Sequence, residues 1–399
     1  MKLRNLYLLL VALLLIIGWR IATYSFPEAG SKDSAPATSL YDYKGLIHVH
    51  TTYSDGAGTV EEVAAAGNRA GIDFLISTDH NTLQPLIDHK EGWYDHLLFL
   101  SGEEIGMGGE YTLAMGISKT VMRNKREPQA VIDEVRQQGG MSFISHPLHP
   151  RSGWKNWGTT GLTGMEIIDN ALLFKKANSI TLLWSLLTYP LNPSYALLNL
   201  YQRPQDALKK WDEQTQTEKL VGIYSADIHG QFRIRKRYSV KFPAPETVMR
   251  LASNHVLLPK PFKGDLDYDK NMLYDALREG HLYFAMDLLG DPTGFIFQGT
   301  TESGEKVLMG DEVTKPGPVT LRASLGTNFR PESYRIVLLK DGVPVTDSST
   351  TPLVYEAKEE GVYRVEVELQ RRSPFMSNQT YTWIYSNPIY YRGMPFASK

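Results

Sequence analysis

The stretch Gly45-Leu46-Ile47-His48-Val49-His50-Thr51-Thr52-Tyr53-Ser54-Asp55-Gly56 runs from an apolar β-like segment into a tight turn. His48 and His50 are separated by one residue, and the two-residue period of a strand puts both imidazoles on one face. Two imidazoles aimed at one place are what a metal chelate needs, and Asp55 follows on the turn just beyond. Two polar residues on an ordinary strand would look the same, so this pair alone does not identify a metal site.

The same arrangement recurs along the chain. Residues 72–77 read as a second strand, and Thr78-Asp79-His80-Asn81 stands at its end. A strand over 97–101 leads into Gly102-Glu103-Glu104-Ile105, and one over 141–145 into Ser145-His146-Pro147. A strand over 219–225 leads into Ala226-Asp227-Ile228-His229-Gly230. Eight candidate ligands therefore fall where strands give way to loops: His48, His50, Asp55, His80, Glu104, His146, Asp227 and His229. Active sites form at that edge in barrels and open α/β sheets. Five of the ten histidines lie there, and the chain has no cysteine. A metal must then sit on nitrogen and oxygen ligands, a mixture that suits Zn, Mn or Fe.

Between these strands the periodicity is helical. Thr59 and Glu62 form a capping box that opens a helix over 59–70, and Gly71 closes it. A helix over 128–138 ends at Gly139-Gly140, and one over 271–279 at Gly280. Further strands are expected over 112–117 and 165–168. Repeated strand-then-helix order predicts an α/β body with parallel strands over residues 41–290. Residues 173–218, interrupted by Pro190 and Pro193, read as inserted helices that form core or rest on a nearby membrane.

The character changes near residue 295. Tyr363, Val365, Val367 and Leu369 alternate with Arg364, Glu366 and Glu368, a strand with one wet face. Strands over 320–325, 335–340 and 381–385, with the Asp341-Gly342 turn signal, complete an all-β sandwich-like domain over 295–399. It holds no cluster of histidines or acids, so no chemistry is assigned to it.

At the other end, Lys2 and Arg4 precede an apolar run over 6–19, and Arg20 follows. Residues 1–26 read as a signal peptide or signal anchor, and 27–40, rich in Ser, Ala, Pro and Gly, as a linker. No small-x-small cleavage site follows, which favours a membrane anchor with the rest of the chain extracytoplasmic. The net charge of −2 creates no global field that recruits nucleic acid.

In combination, His48-x-His50, Ser54-Asp55-Gly56, Thr78-Asp79-His80-Asn81, Gly102-x-Glu104-Ile105, Ser145-His146-Pro147 and Asp227-x-His229 resemble the PHP family, named for polymerases and histidinol phosphatases. The resemblance covers roughly residues 41–290. It implies a distorted (β/α)7 barrel with two or three divalent ions at the C-terminal strand edge, and hydrolysis of phosphate esters. It places His48, His50, Glu104 and Asp227 on one ion, and Asp55, His80 and His229 on a second, with Glu104 bridging. His146 would reach a third ion. The stretch Gly109-Glu110-Tyr111-Thr112-Leu113-Ala114-Met115-Gly116 lacks the further third-ion histidine common in the family, and Glu110 could substitute for it. Two firmly held ions are therefore expected.

The expected substrate is a small-molecule or polymer phosphate ester. The alternatives are a metallohydrolase of other esters, amides or carbamates, and a non-catalytic metal-binding or surface-binding module. Asp79 is weighed as a support for a ligand histidine against a simple turn role. Asn81 is weighed as a substrate contact against a cap, and Glu103 and His149 read as structural and solvent-facing. Arg151, Lys155, Arg233, Arg235, Lys236 and Arg237 lie beyond ligand-bearing strand ends; 233–237 read together as an anion-steering patch. For the N-terminal reading, a reporter fused at the C-terminus should be extracytoplasmic and the chain should sediment with membranes. Recovery of the unprocessed chain from cytosol contradicts that reading.

Overall fold

A computed structural model describes residues 3–26, 40–121, 127–230, 232–235, 238–240, 243–314, 317–326, 333–375 and 377–393. The linker expected over 27–40 lies almost wholly outside these residues. The chain begins with helix α1 (Leu3–Ala22), long and apolar enough to cross a membrane. Its 20 residues span about 30 Å, the thickness of a hydrocarbon core.

The site is carried by a run of seven strands: β1 (Tyr41–Val49), β2 (Phe74–His80), β3 (Leu97–Gly106), β4 (Tyr111–Met115), β5 (Met141–Ile144), β6 (Gly164–Asp169) and β7 (Val221–Ser225). They are neighbours in that order. β1–β2, β2–β3, β5–β6 and β6–β7 pair in parallel. β4 departs from the expected all-parallel order, pairing antiparallel with both β3 and β5. The cause is local: Gly108 and Gly109, both at positive φ, turn the chain straight back after β3, leaving no room for a crossover helix. Beyond β7 the chain returns to β1. Ala226 N donates to Ile47 O, His50 N donates to Ile228 O, and Val49 bridges Ile228 in parallel.

Helix α2 (Val60–Ala70) starts on the expected capping box and ends at Gly71, φ 74°. Helix α3 (Pro128–Gln137) precedes β5. Between β6 and β7 come α4 (Asn170–Lys176), α5 (Ser179–Thr188), α6 (Pro193–Leu198) and α7 (Gln205–Gln214), the inserted helices of the sequence reading. One apolar cluster gathers Ile47, Ile76, Leu100, Leu113, Phe143 and Ile223, one residue each from β1–β5 and β7. The alternate residues pack outward against the helices in a second cluster.

The sheet continues through β8 (Ser253–Leu258), antiparallel to β1, and β9 (Leu282–Ala285). Helix α8 (Leu266–Glu279) joins them and starts five residues earlier than expected, because Asp265 caps it at the Tyr268 amide. After residue 295 the chain divides. β10 (Ile296–Thr301), β11 (Lys306–Leu308), β12 (Val319–Ser324) and β14 (Leu353–Ala357) form a separate four-stranded sheet. β13 (Tyr334–Lys340), β15 (Gly361–Arg372) and β16 (Asn378–Ser386) instead extend the main sheet, β16 pairing with β9.

A buried ion network holds these strands to the inserted helices. Arg364 on β15 is 2% exposed and grips both oxygens of Asp212 on α7, at 2.6 and 2.8 Å. Its third contact is Glu366 at 2.6 Å, which Arg203 also holds. Such bidentate pairs are specific, and breaking one strands a buried charge. Arg364→Ala should therefore lower unfolding stability by about 3–5 kcal/mol in denaturant titration, and a loss below about 1 kcal/mol would show the network to be dispensable.

Candidate metal centre

The inward face of each strand runs from core to site. On β2 the order is Phe74, Ile76, Thr78, His80; on β3 it is Leu98, Leu100, Gly102, Glu104. Val221 and Ile223 of β7 lead in the same way to Ser225 and Asp227. Glu104 lies two residues inside β3 rather than at its end.

β1 breaks this parity. Leu46 faces the outer cluster and Ile47 the inner one, so a regular strand would aim His48 and His50 outward and Val49 inward, yet Val49 lies in the outer cluster. His48 instead sits at a register shift with φ 68°, a bulge that turns both imidazoles inward. The same-face expectation thus holds through a backbone irregularity rather than through regular alternation. His146 at φ 31° and Asp227 at φ 40° are also left-handed. Non-glycine residues in this region cost about 1–3 kcal/mol each and cluster at functional sites.

The eight predicted residues converge. His48 Nε2 lies 3.4 Å from Glu104 Oε2 and 3.6 Å from Asp227 Oδ1; His50 Nε2 lies 3.5 and 3.6 Å from the same two atoms. Four donors around one ion with bonds of about 2.1 Å are about 3.4 Å apart in a tetrahedron. Both Nε2 atoms are buried and make no hydrogen bond among the described residues, so an ion there would supply the missing partner. A second set surrounds Asp55 Oδ1, with His229 Nε2 at 3.3 Å, His80 Nε2 at 3.7 Å and His50 Nδ1 at 3.8 Å. The ring of His50 thus stands between the two sets. Glu104 Oε2 also lies 2.8 Å from His80 Nδ1, and Oε1 lies 3.2 Å from His146 Nε2.

Opposite charges dominate the electrostatics. Burial opposes the imidazolium of His48, yet Glu104, Glu166 and Asp227 together hold its pKa well above the usual value. Burial likewise opposes protonation of His80, His146 and His229, but carboxylate partners raise all three, His146 to about 8. Burial alone would raise Asp55, but His229, His50 and His80 bring it down to about 2. Burial lowers His50.

Glu166 was not anticipated by the sequence reading. It lies on β6, fully buried, with Oε1 2.6 Å from His48 Nδ1; Oε2 accepts from the His146 backbone amide. A carboxylate on the far nitrogen fixes the tautomer and aim of a ligand histidine. The available signal was a lone Glu inside Met165-Glu166-Ile167-Ile168, because a buried acid in an apolar strand needs a partner. Asp79 shapes the ligand turn: it accepts from Thr51 N, Thr51 Oγ1 and Ser54 Oγ, and so positions Asp55.

The remaining expectations sort by their partners. Glu110 accepts from Lys155 N, Asn156 N and Asn156 Nδ2; it anchors that loop and is not aimed at a third ion. Asn81 takes a positive φ and accepts from Gly106 N, tying β2 to β3. Glu103 accepts from Val121 N, and burial raises its pKa to about 7. His149 is half-buried rather than solvent-facing, its Nδ1 accepting from Arg151 N and Ser152 N. Arg151 and Lys155 are exposed; of the 233–237 patch, Lys236 and Arg237 lie outside the described residues.

Ligand imidazoles must be unprotonated, whereas His48, His80, His146 and His229 hold protons above their usual pKa. Divalent ions added to metal-free protein at pH 7 should therefore release protons, by less as the pH passes about 8. Calorimetry in buffers of different ionisation enthalpy measures this, and zero release at pH 7 contradicts it. Glu166→Ala should cost about 10–100-fold in metal affinity, and unchanged affinity would remove its positioning role.

No family model matches the chain. It is 27% identical over 124 residues to an uncharacterised protein of Methanocaldococcus jannaschii, covering 27% of this chain and 69% of that one. It is 36% identical over 64 residues to the DNA polymerase/3'-5' exonuclease PolX of Bacillus subtilis, covering 16% of this chain and 10% of PolX. Among solved structures it is similar to a two-domain protein of Bacteroides vulgatus containing a predicted PHP-like metal-dependent phosphoesterase. That alignment covers 90% of this chain and 99% of the other, at 14% identity and a TM-score of 0.41. In the order of its motifs the chain resembles the PHP-like proteins, and one of these is among the structures to which it is similar.

Proposed function

We propose that the chain is a metal-dependent phosphoesterase whose site is built from His48, His50, Asp55, His80, Glu104, His146, Asp227 and His229. The observation that carries this reading is two adjoining donor sets, His48, His50 and Glu104 in one and His50, Asp55, His80 and His229 in the other, with Glu104 also 2.8 Å from His80 Nδ1. His48, His50 and Asp227 would share one ion with Glu104, and Asp55, His80 and His229 would hold the other. These residues would hold two ions, and the chemistry such ions would supply is activation of a water at neutral pH and neutralisation of charge on a phosphoryl group. Mixed nitrogen and oxygen ligands suit Zn, Mn or Fe.

The protein's own contribution is positioning. Glu166 and Ser225 face His48 Nδ1 at 2.6 and 3.0 Å, leaving Nε2 aimed at the site. Asp79 holds the turn that presents Asp55. Ser145 Oγ donates to Glu104 Oε1 and keeps that carboxylate in one orientation. Near His146, a cavity of about 260 Å³ is bounded by Pro147, Glu166, Asp169, Lys176 and Arg203. With Glu110 engaged elsewhere, a third ion would have Glu104 and His146 as protein ligands, which favours two ions.

The same reading gives the architecture. We take β1–β7 as a distorted (β/α)7 barrel over 41–290, supported by the hydrogen bonds that return β7 to β1. Residues 1–26 form the anchor or signal, 27–40 the linker and 295–399 a β-sandwich-like accessory domain.

Hydrolysis of carboxyl esters, amides or carbamates is the second reading, because ions held by the same donor set would polarise any of these carbonyls. Purified full-length protein, metal-replete, should cleave a phosphomonoester or phosphodiester, with inorganic phosphate inhibiting. His48→Ala and Glu104→Ala should abolish turnover and lower metal content while leaving the circular dichroism unchanged. Robust cleavage of carboxyl esters or carbamates with no phosphate ester turned over rejects the substrate class. Unchanged metal content in both variants rejects the site.

A further inference from the structure

Helix α5 is built inside out for a water-facing surface. Its small polar residues Ser185 and Thr188 are buried, 5% and 1% exposed, whereas Ile180, Leu183 and Leu187 are 82%, 58% and 62% exposed. The spacing i, i+3, i+7 places these three on one stripe. Leu186 and, just beyond the helix, Leu191 add to the same exposed surface. A helix facing water carries the opposite pattern, so something apolar covers this one.

The occupant is indicated by what lies beside it. Asn192, at the start of α6, donates through Nδ2 to Ile21 O and Tyr24 O, holding the end of α1 against the inserted helices. Tyr24 packs edge-on against Tyr195, and Arg371 lies over the rings of Tyr24 and Phe26. A side chain added at Gly18 would meet Leu191. The exposed leucines of α5 are thus continuous with the last turns of a helix whose own apolar side chains are exposed along its length. Trp184 lies near the exposed Phe375, adding aromatic residues of the kind that settle at a membrane–water interface. Lys175 and Lys176 precede the helix, where cations meet headgroups.

We propose that α5 lies in the interfacial layer of the bilayer that α1 crosses, a second and monotopic contact that fixes the orientation of the body on the membrane. A bilayer covers both surfaces at once, whereas a second copy of the chain would cover α5 and leave α1 to be accounted for separately. The contact also brings the site close to the surface. α5 begins four residues after Lys175, whose Nζ is 3.3 Å from His149 Nε2, three positions from His146. This inference rests on the reading of α1 as a membrane anchor and is independent of the reaction catalysed.

The absence of native cysteine allows single labels. Full-length Leu183→Cys and Leu187→Cys, labelled with an environment-sensitive fluorophore, are reconstituted in phosphatidylcholine/phosphatidylglycerol vesicles. Leu10→Cys in α1 serves as the lipid-exposed reference and Glu356→Cys, exposed on the four-stranded sheet, as the aqueous one. The proposal expects both α5 labels to show a several-fold loss of iodide quenching relative to Glu356→Cys, with strong quenching by nitroxide lipid. Iodide quenching equal to that at Glu356→Cys overturns it, even where Leu10 is shielded and the anchor stands. Protection that grows with the protein-to-lipid ratio, with cross-linking between Leu183→Cys chains, identifies a second copy and also overturns it.

Discussion

A single buried carboxylate organises the site. Glu104 is 1% exposed, and its two oxygens face His48, His50, His80 and His146 from three separate segments of chain. Removing such a charge from water costs several kcal/mol unless counter-charges surround it. The imidazoles provide those charges without metal, which is why they hold protons so strongly, and ions would provide them more fully. Any metal that binds there would compete with protons for the same atoms. The arrangement depends on strand registers that place His80 directly beside Glu104, as the β2–β3 ladder does.

The candidate ligands stand out in the sequence because each lies near the end of an apolar strand or just beyond it. Regular alternation explains His80, Glu104 and Asp227, whose inward positions continue those of core residues such as Ile76, Leu100 and Ile223. It does not explain His48 and His50. Their spacing is that of a regular strand, yet a regular strand would have aimed both away from the site, and the bulge with its left-handed His48 corrects the aim. A bulge at a non-glycine residue leaves no trace in composition. It is visible only once the faces of Leu46, Ile47 and Val49 are known.

Other features lay beyond the sequence for equally physical reasons. Periodicity identifies β4 as a strand but carries no direction, and its antiparallel course follows from the tight glycine turn before it. The period-two pattern of Val365, Val367 and Leu369 identifies β15, but not that its partner β16 would hydrogen-bond to β9 and extend the main sheet. Glu166 was missed because one acid in an apolar run has no spacing motif; its meaning comes from His48, 118 positions away. Glu110 shows the converse, a residue in the right segment whose carboxylate is committed to the loop at Lys155 and Asn156.

The central claim is that this convergence exists to hold metal at two places that share Glu104. Anomalous diffraction from crystals of the metal-replete protein, collected at the absorption edge of the bound element, tests it most directly. The account predicts two ordered ions flanking Glu104, one among His48, His50 and Asp227 and the other among Asp55, His80 and His229. Ordered metal elsewhere on the chain, with no anomalous density beside Glu104, would contradict it.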